Sequence, residues 1–348
     1  MKPYLKLIFT LVVYPFFFFS ASAQTVSASF VGLEEVEIPA HNGGASTYFF
    51  LNLPLLSPAI HNGIVDSVDN FHLNLASANL VADALVENDS DELPLYYVEF
   101  LSGEATGLTV EIVANDTSSI TLLEDLSSIL RGGEKFIVRK FKTIGDVFSL
   151  DNSTYSLASA GNANQSDVIY LEDGTGNLVR YYYQTAPSFA GGNGWRRAGD
   201  TRTDRSNTRI NWNAVLLSRN GSTARQAINF ISHGEVRLGS AKTVISDGLN
   251  LVGYQFPFNT TLDNLGFLTS DLLQGSNPNN TDVIYIIESG ELARFYYQSA
   301  PPFAGGNGWR RAGDTRTDQS DFIISSNAAF LVLKRGGNPI YMSSDQPF

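Results

Sequence analysis

The sequence predicts an all-β protein, built from several small β-barrel or β-sandwich domains with an internally duplicated β module in its C-terminal part. The chain is dominated by short β-branched and aromatic runs, such as Leu95-Tyr96-Tyr97-Val98-Glu99-Phe100 and Lys135-Phe136-Ile137-Val138-Arg139. Turn formers separate these runs, among them Ser102-Gly103, Asn115-Asp116 and Gly132-Gly133. No amphipathic helical period is sustained over four turns, and only 121–130 and 261–273 suit short helices or helical turns.

The first element is an export signal. Lys2 and Lys6 give a positive start, Leu7 to Phe19 is apolar apart from Thr10, and Ala21-Ser22-Ala23 has the small–x–small cleavage pattern. The apolar run falls short of the ~20 residues that a transmembrane helix needs. Residues 1–23 are therefore expected to be removed, leaving a protein in the periplasm, at the cell surface or outside the cell, with no membrane span. The chain has 348 residues, 43% of them hydrophobic, and no cysteine. It must hold its folds by packed cores rather than disulfides. A formal charge of −12 argues against nucleic acid as a partner.

Residues 24–145 read as an N-terminal β domain. In Leu108-Thr109-Val110-Glu111-Ile112-Val113 the alternate residues Leu108, Val110 and Ile112 share one face, the period-2 signature of a strand. Residues 146–220 and 260–337 read as two related β modules, joined by a β segment at 221–259 and followed by a tail at 338–348.

The duplication is explicit in the sequence. Residues 189–204, FAGGNGWRRAGDTRTD, recur unchanged at 303–318, a spacing of 114. The preceding 178–188 match 292–302 at 7 of 11 positions, whereas 205–218 match 319–332 at only 5 of 14. Thr143 to Phe148 faintly echoes Thr261 to Gly266. So uneven a distribution points to constraint on the loop itself, or to local copying of a short stretch.

Gly191-Gly192-Asn193-Gly194 makes a tight turn, and Trp195, Arg196, Arg197, Asp200, Arg202 and Asp204 follow. In an extended chain Arg196, Asp200, Arg202 and Asp204 would share one face and Trp195 and Arg197 the other. Two readings stand side by side. In one, Trp195 plugs a small core, the arginines pair with Asp200 and Asp204, and Tyr181 to Tyr183 pack nearby. In the other, Trp195 and Tyr182 offer stacking faces to a sugar or peptide while Arg196, Arg197, Asp200 and Arg202 hydrogen-bond to it. The second copy supplies Trp309, Arg310, Arg311, Asp314, Arg316 and Tyr296 in the same roles, and two such sites would bind bivalently. No cofactor is expected. Calcium is the one ion considered, with oxygens from Asn193, Asp200 and Asp204, and the neighbouring arginines oppose it.

Catalytic signatures are sparse. The histidines His41, His61, His72 and His233 have no metal-ligand spacing, and no Gly-x-Ser-x-Gly elbow occurs. Carboxylates such as Glu34, Glu35, Glu37, Glu99, Glu111, Glu172, Asp173 and Glu288 leave a two-carboxylate glycan hydrolase as the alternative.

Tyr96-Tyr97-Val98-Glu99-Phe100-Leu101-Ser102-Gly103, then Val113-Ala114-Asn115-Asp116-Thr117, Gly132-Gly133-Glu134-Lys135-Phe136 and Ser166-Asp167-Val168-Ile169-Tyr170-Leu171 form a series of strand and turn motifs. Together with the Tyr-rich strand and Trp-Arg pair, it resembles a family of uncharacterised exported verrucomicrobial β-proteins over about 47–335. The resemblance implies export and transfers no catalytic or binding residue. The resulting expectation is an exported, non-catalytic protein with a binding or structural role, envelope-associated or secreted, whose partner is a glycan or an envelope protein.

Overall fold

The computed structural model describes residues 31–345, apart from 42, 78, 174, 221–224 and 289. The expected signal segment 1–23 lies outside the described residues. The protein is all-β, with a closed barrel and several sheets.

In chain order, β1 (Val31–Ile38) and β2 (Thr47–Asn52) come first. The strands β3 (His61–Asp69), β4 (His72–Leu75), β5 (Tyr96–Phe100), β6 (Thr109–Asn115), β7 (Ser119–Leu122) and β8 (Lys135–Lys140) follow. These six close a barrel in the order β3-β4-β7-β6-β5-β8. Alternation fills it: Val110 and Ile112 of β6 point inward with Val98, Phe100, Phe136 and Val138. A register shift between Ile112 and Ala114 bends β6 toward β7.

After the barrel comes the short helix α1 (Ile144–Phe148), started by a reciprocal cap between Thr143 and Asp146. The strands β9 (Val168–Glu172), β10 (Leu178–Gln184), β11 (Gly194–Arg197), β12 (Ala214–Arg219) and β13 (Ile228–Glu235) complete the first half. The second half contains β14 (Ala241–Ile245), β15 (Gly248–Gly253), β16 (Thr260–Thr261), β17 (Val283–Glu288), β18 (Glu291–Gln298), β19 (Gly308–Arg311), β20 (Ile323–Ile324), β21 (Ala329–Lys334) and β22 (Ile340–Ser344).

The two halves have the same topology. One five-stranded sheet runs β11-β10-β9-β12-β2 and the other β19-β18-β17-β21-β15. Each is covered by a two-stranded ribbon, β1 with β13 and β14 with β22. Even a minor bridge repeats: Thr143 pairs with Arg209, and Thr261 with Ile323. Each copy also buries a cation against an aspartate at the end of its central strands, Arg219 with Asp167 at 3.6 Å and Lys334 with Asp282 at 3.5 Å. The repeat is therefore longer than its sequence identity suggests. Strand β2, from the stretch 24–145 expected as one N-terminal domain, completes the first sheet. Strand β15, from the connecting segment 221–259, completes the second, and 338–348 supplies β22 rather than a free tail. An edge strand needs only an alternating apolar face, so β2 and β15 keep their place without keeping their sequence.

The barrel is an insertion in the first copy, between β2 and Thr143, where the second copy has only the short stretch from Gly253 to Thr260. Its first and last strands pair, with His61 opposite Val138, so its two ends leave the barrel side by side. The two five-stranded sheets pack on each other through Phe50, Leu216 and Ala214 from one copy and Leu251, Leu331 and Ala329 from the other. Equivalent positions meet, as in a self-complementary interface. Behind each sheet lies a separate core, one around Trp195 and Phe148, the other around Trp309 and Phe295.

Candidate functional site

The duplicated loop closes off the edge of each sheet farthest from the shared core, after β10 and β11 in one copy and after β18 and β19 in the other. Its buried residues act as a frame. Trp195 is 0% exposed and Trp309 2%. The Trp195 indole donates to the Ser149 carbonyl at 2.7 Å and meets Tyr183 edge-on at 5.5 Å. Trp309 meets Tyr297 edge-on at 5.6 Å.

The polar frame is the same in both copies. Gln184 Nε2 donates to the carbonyls of Ala190, Gly192 and Thr201, and its Oε1 accepts from the Tyr182 hydroxyl. Gln298 does the same with Ala304, Gly306, Thr315 and Tyr296. Arg196 spends its guanidinium on loop carbonyls: Gly191 at 2.8 Å, Trp195 at 2.8 Å and Thr201 at 3.1 Å. Arg310 repeats this on Gly305, Trp309 and Thr315. Six loop carbonyls per copy, with Asn193 and Asn307 at 3.4 Å included, thus accept from one Gln and one Arg side chain, and unmade bonds to buried carbonyls are costly.

This arrangement corrects the expectation of a stacking platform. Trp195, Tyr182, Trp309 and Tyr296 are buried, and Arg196 and Arg310 are consumed within the loop, so none of the six is available to a ligand. The extended reading also fails. Strand β11 stops at Arg197, and the chain turns at Gly199, which has φ of +96°. Asp200 then accepts from the backbone amides of Arg202 and Thr203, and Asp314 from those of Arg316 and Thr317. The Arg202 amide and the Thr203 hydroxyl and amide hold Asp200 well below the usual carboxylate range, and the Thr317 hydroxyl and amide with the Arg316 amide hold Asp314 at about 2. Of the oxygens considered for calcium, Asp204 accepts from Arg196 and Ser206, and Asn193 accepts from the amide of Ala186. No cluster of three or more His, Asp or Glu suited to a metal occurs among the described residues.

The frame leaves other side chains in solvent. Phe189 is 85% exposed and Phe303 86%, the highest values among the exposed large hydrophobics. Each sits on a single 3₁₀ turn, Ser188–Ala190 or Pro302–Ala304, closed by a left-handed glycine, Gly191 or Gly305. Gly191 lies against the Thr201 carbonyl, so the segments carrying Phe189 and the exposed Arg202 run side by side. Phe303 and Arg316 repeat the pair. Sequence reasoning centred on tryptophan missed Phe189, Phe303, Gln184 and Gln298. The available signal was that the unchanged stretch begins on a Phe between Ser or Pro and Ala-Gly-Gly, where no strand face exists to bury it.

Gly191→Ala tests the frame. A Cβ there would stand 2.0 Å from the Thr201 carbonyl oxygen, at a φ of +101°. We expect a loss of about 2–3 kcal/mol, against ~1 kcal/mol for Gly199→Ala, where a Cβ meets nothing. Urea denaturation of the two variants measures the difference.

The copies diverge where the barrel docks on the first. Asp91 of the barrel takes Arg205 at 2.7 Å, the Tyr181 hydroxyl at 2.8 Å and Arg197 at 3.5 Å. Arg209 reaches Glu111 at 3.1 Å. In the second copy, Tyr181, Arg205, Thr208 and Arg209 are replaced by Phe295, Gln319, Phe322 and Ile323. There Phe295 and Phe322 pack at 4.6 Å, and Arg311 turns to Glu288 at 2.7 Å. Four of the positions that face the barrel in the first copy thus differ in the second, whereas Arg197, which also reaches Asp91, is kept as Arg311. Glu99 is likewise committed, between Arg139 and Arg237.

Fold and site together define an all-β protein that presents one braced, Phe-tipped loop twice. The chain matches no family model, no curated protein and no solved structure. No helix among the described residues is long and apolar enough to cross a membrane.

Proposed function

We propose that the protein is an exported, non-catalytic binding protein, envelope-associated or secreted, that grips a repeating polymer such as a glycan through its two Phe-tipped loops. The reading is supported by one observation above all: a phenylalanine about 85% exposed on an identically braced loop in both copies. A single exposed apolar residue is ordinary; the same one, held up twice by the same buried Gln and Arg, is a repeated presentation. A Phe ring stacks on the apolar face of a sugar, and Arg202 and Arg316 alongside supply donors to hydroxyl or carboxylate oxygens. The loops sit on outer edge strands of different sheets, so a polymer with repeated epitopes engages both and gains avidity.

The export part rests on Lys2, Lys6, the run Leu7 to Phe19 and Ala21-Ser22-Ala23, and agrees with the resemblance to exported verrucomicrobial proteins. Affinity electrophoresis against a panel of acidic and neutral polysaccharides tests the ligand. Phe189→Ala and Phe303→Ala are each expected to weaken retardation at least tenfold, and the pair together to abolish it, with circular dichroism unchanged. Retardation that survives in the double variant defeats the proposal.

A further inference from the structure

The insertion of the barrel creates a cleft where it joins the first copy. It holds about 810 Å³ and lies between the barrel stem at Ser57–Ile60, helix α1 and the β1–β13 ribbon. That size falls within the range of small-molecule sites, which favour domain junctions. Its walls are mostly apolar, with Leu53, Leu56, Phe141, Val147 and Tyr155 among them. Among the residues that line it, Val31, Ile60 and Ile231 are 74%, 53% and 41% exposed, apolar side chains that no element among the described residues covers.

Charge in the cleft is unevenly distributed. Glu235 is paired with Arg139 at 2.6 Å, and Asp146 is taken up by the Thr143 amide and hydroxyl at the helix start. Lys140 at the rim is neutralised by Glu87 at 2.8 Å. The Tyr155 hydroxyl both donates to and accepts from the backbone of Ile231. Lys142 differs from all of these. Its Nζ donates to the His233 carbonyl at 3.0 Å, and it forms no ion pair among the described residues. Burial pulls its pKa down to about 8, while the charge of Asp146 opposes the shift. An ammonium held partly out of water, bonded to a carbonyl and in no ion pair among the described residues, gains most from an anion. The aligned position of the second copy, Thr260, carries no charge and is paired with Ile324, so this feature belongs to the insertion.

We propose that this cleft binds a small amphiphilic anion, an apolar chain or ring body bearing one carboxylate, with the carboxylate on Lys142 and the body along the apolar walls. The site is independent of the Phe-tipped loops. Isothermal titration of the full chain with dodecanoate, below its micelle concentration, is expected to show one site with a dissociation constant in the micromolar range. Dodecyltrimethylammonium, of equal chain length and opposite charge, is expected to bind at least tenfold more weakly.

Lys142→Met should weaken dodecanoate at least tenfold while leaving 1-dodecanol unchanged. Ile231→Glu, at an exposed rim position, should abolish dodecanoate binding with the circular dichroism of the fold intact, and covers the case in which Lys142→Met does not fold. No heat of binding with the unmodified chain, equal affinity for the cationic amphiphile, or undiminished dodecanoate binding by Ile231→Glu would each overturn the proposal. Phe189→Ala with Phe303→Ala should leave dodecanoate binding untouched, which separates this site from the polymer-binding one.

Discussion

Glu99→Ala is expected to destabilise the protein by about 3–5 kcal/mol in urea denaturation. The carboxylate is 2% exposed and sits between two guanidinium groups, Arg139 at 5% and Arg237 at 4%. Arg139 Nε approaches it at 3.2 Å, and Arg237 bonds its other oxygen. Removing the carboxylate takes the ion partner from the buried Arg237 and leaves Arg139 with Glu235 alone, and an uncompensated buried charge costs far more than the intact pair contributes. The position matters as much as the burial. Glu99 and Arg139 belong to the barrel, whereas Arg237 follows β13 and Glu235, the other partner of Arg139, lies within it. Loss of Glu99 should therefore loosen the seam between barrel and repeat before it unfolds either, visible as early proteolysis near 53–60. Glu99→Leu combined with Arg237→Met should recover part of the loss. A cost below about 1 kcal/mol for Glu99→Ala would mean that water reaches this seam.

The two loop tryptophans give the second large effect. Trp195→Ala and Trp309→Ala should each cost about 3–5 kcal/mol, since each empties the centre of a separate core. Their phenylalanine variants should diverge. Trp195 Nε1 is bonded to the Ser149 carbonyl, whereas Trp309 Nε1 is buried with no hydrogen-bond partner among the described residues. Trp195→Phe leaves that carbonyl short of a donor, while Trp309→Phe removes a donor already unsatisfied. Trp195→Phe is therefore expected to cost about 1 kcal/mol more than Trp309→Phe in matched denaturation curves. Equal costs would show that the Ser149 bond contributes nothing net.

Much of the fold was legible because alternation is a local signal. Leu108, Val110 and Ile112 declared their strand and face, and the unchanged sixteen residues declared the duplication. Pairing across long sequence separations left no such mark. Nothing in Thr47–Asn52 indicates that it lies beside Ala214–Arg219, with Leu51 opposite Val215. The discontinuous first copy, and hence the insertion, was invisible for that reason. In the loop, composition identified the stretch correctly but misassigned its parts. Trp and Arg are the residues most often seen at binding surfaces, and here the Glys let the chain fold back so that Arg196 faces inward. Exposure of Phe189 follows from that reversal, which no periodicity encodes.

The paired first and last strands of the barrel have a consequence for how the chain assembles. Thr47 must find Arg219 across a long intervening stretch, a contact that would normally be slow to form. Once β3 and β8 have zipped together, the barrel no longer acts as slack: its two stems emerge as neighbours, and the loop that Thr47 and Arg219 must close shortens by roughly the 80 residues of the barrel. The second copy, contiguous from Gly248 to Lys334, has no such dependence. Biogenesis thus acquires a natural sequence, in which the guest domain matures first and its closure licenses its host.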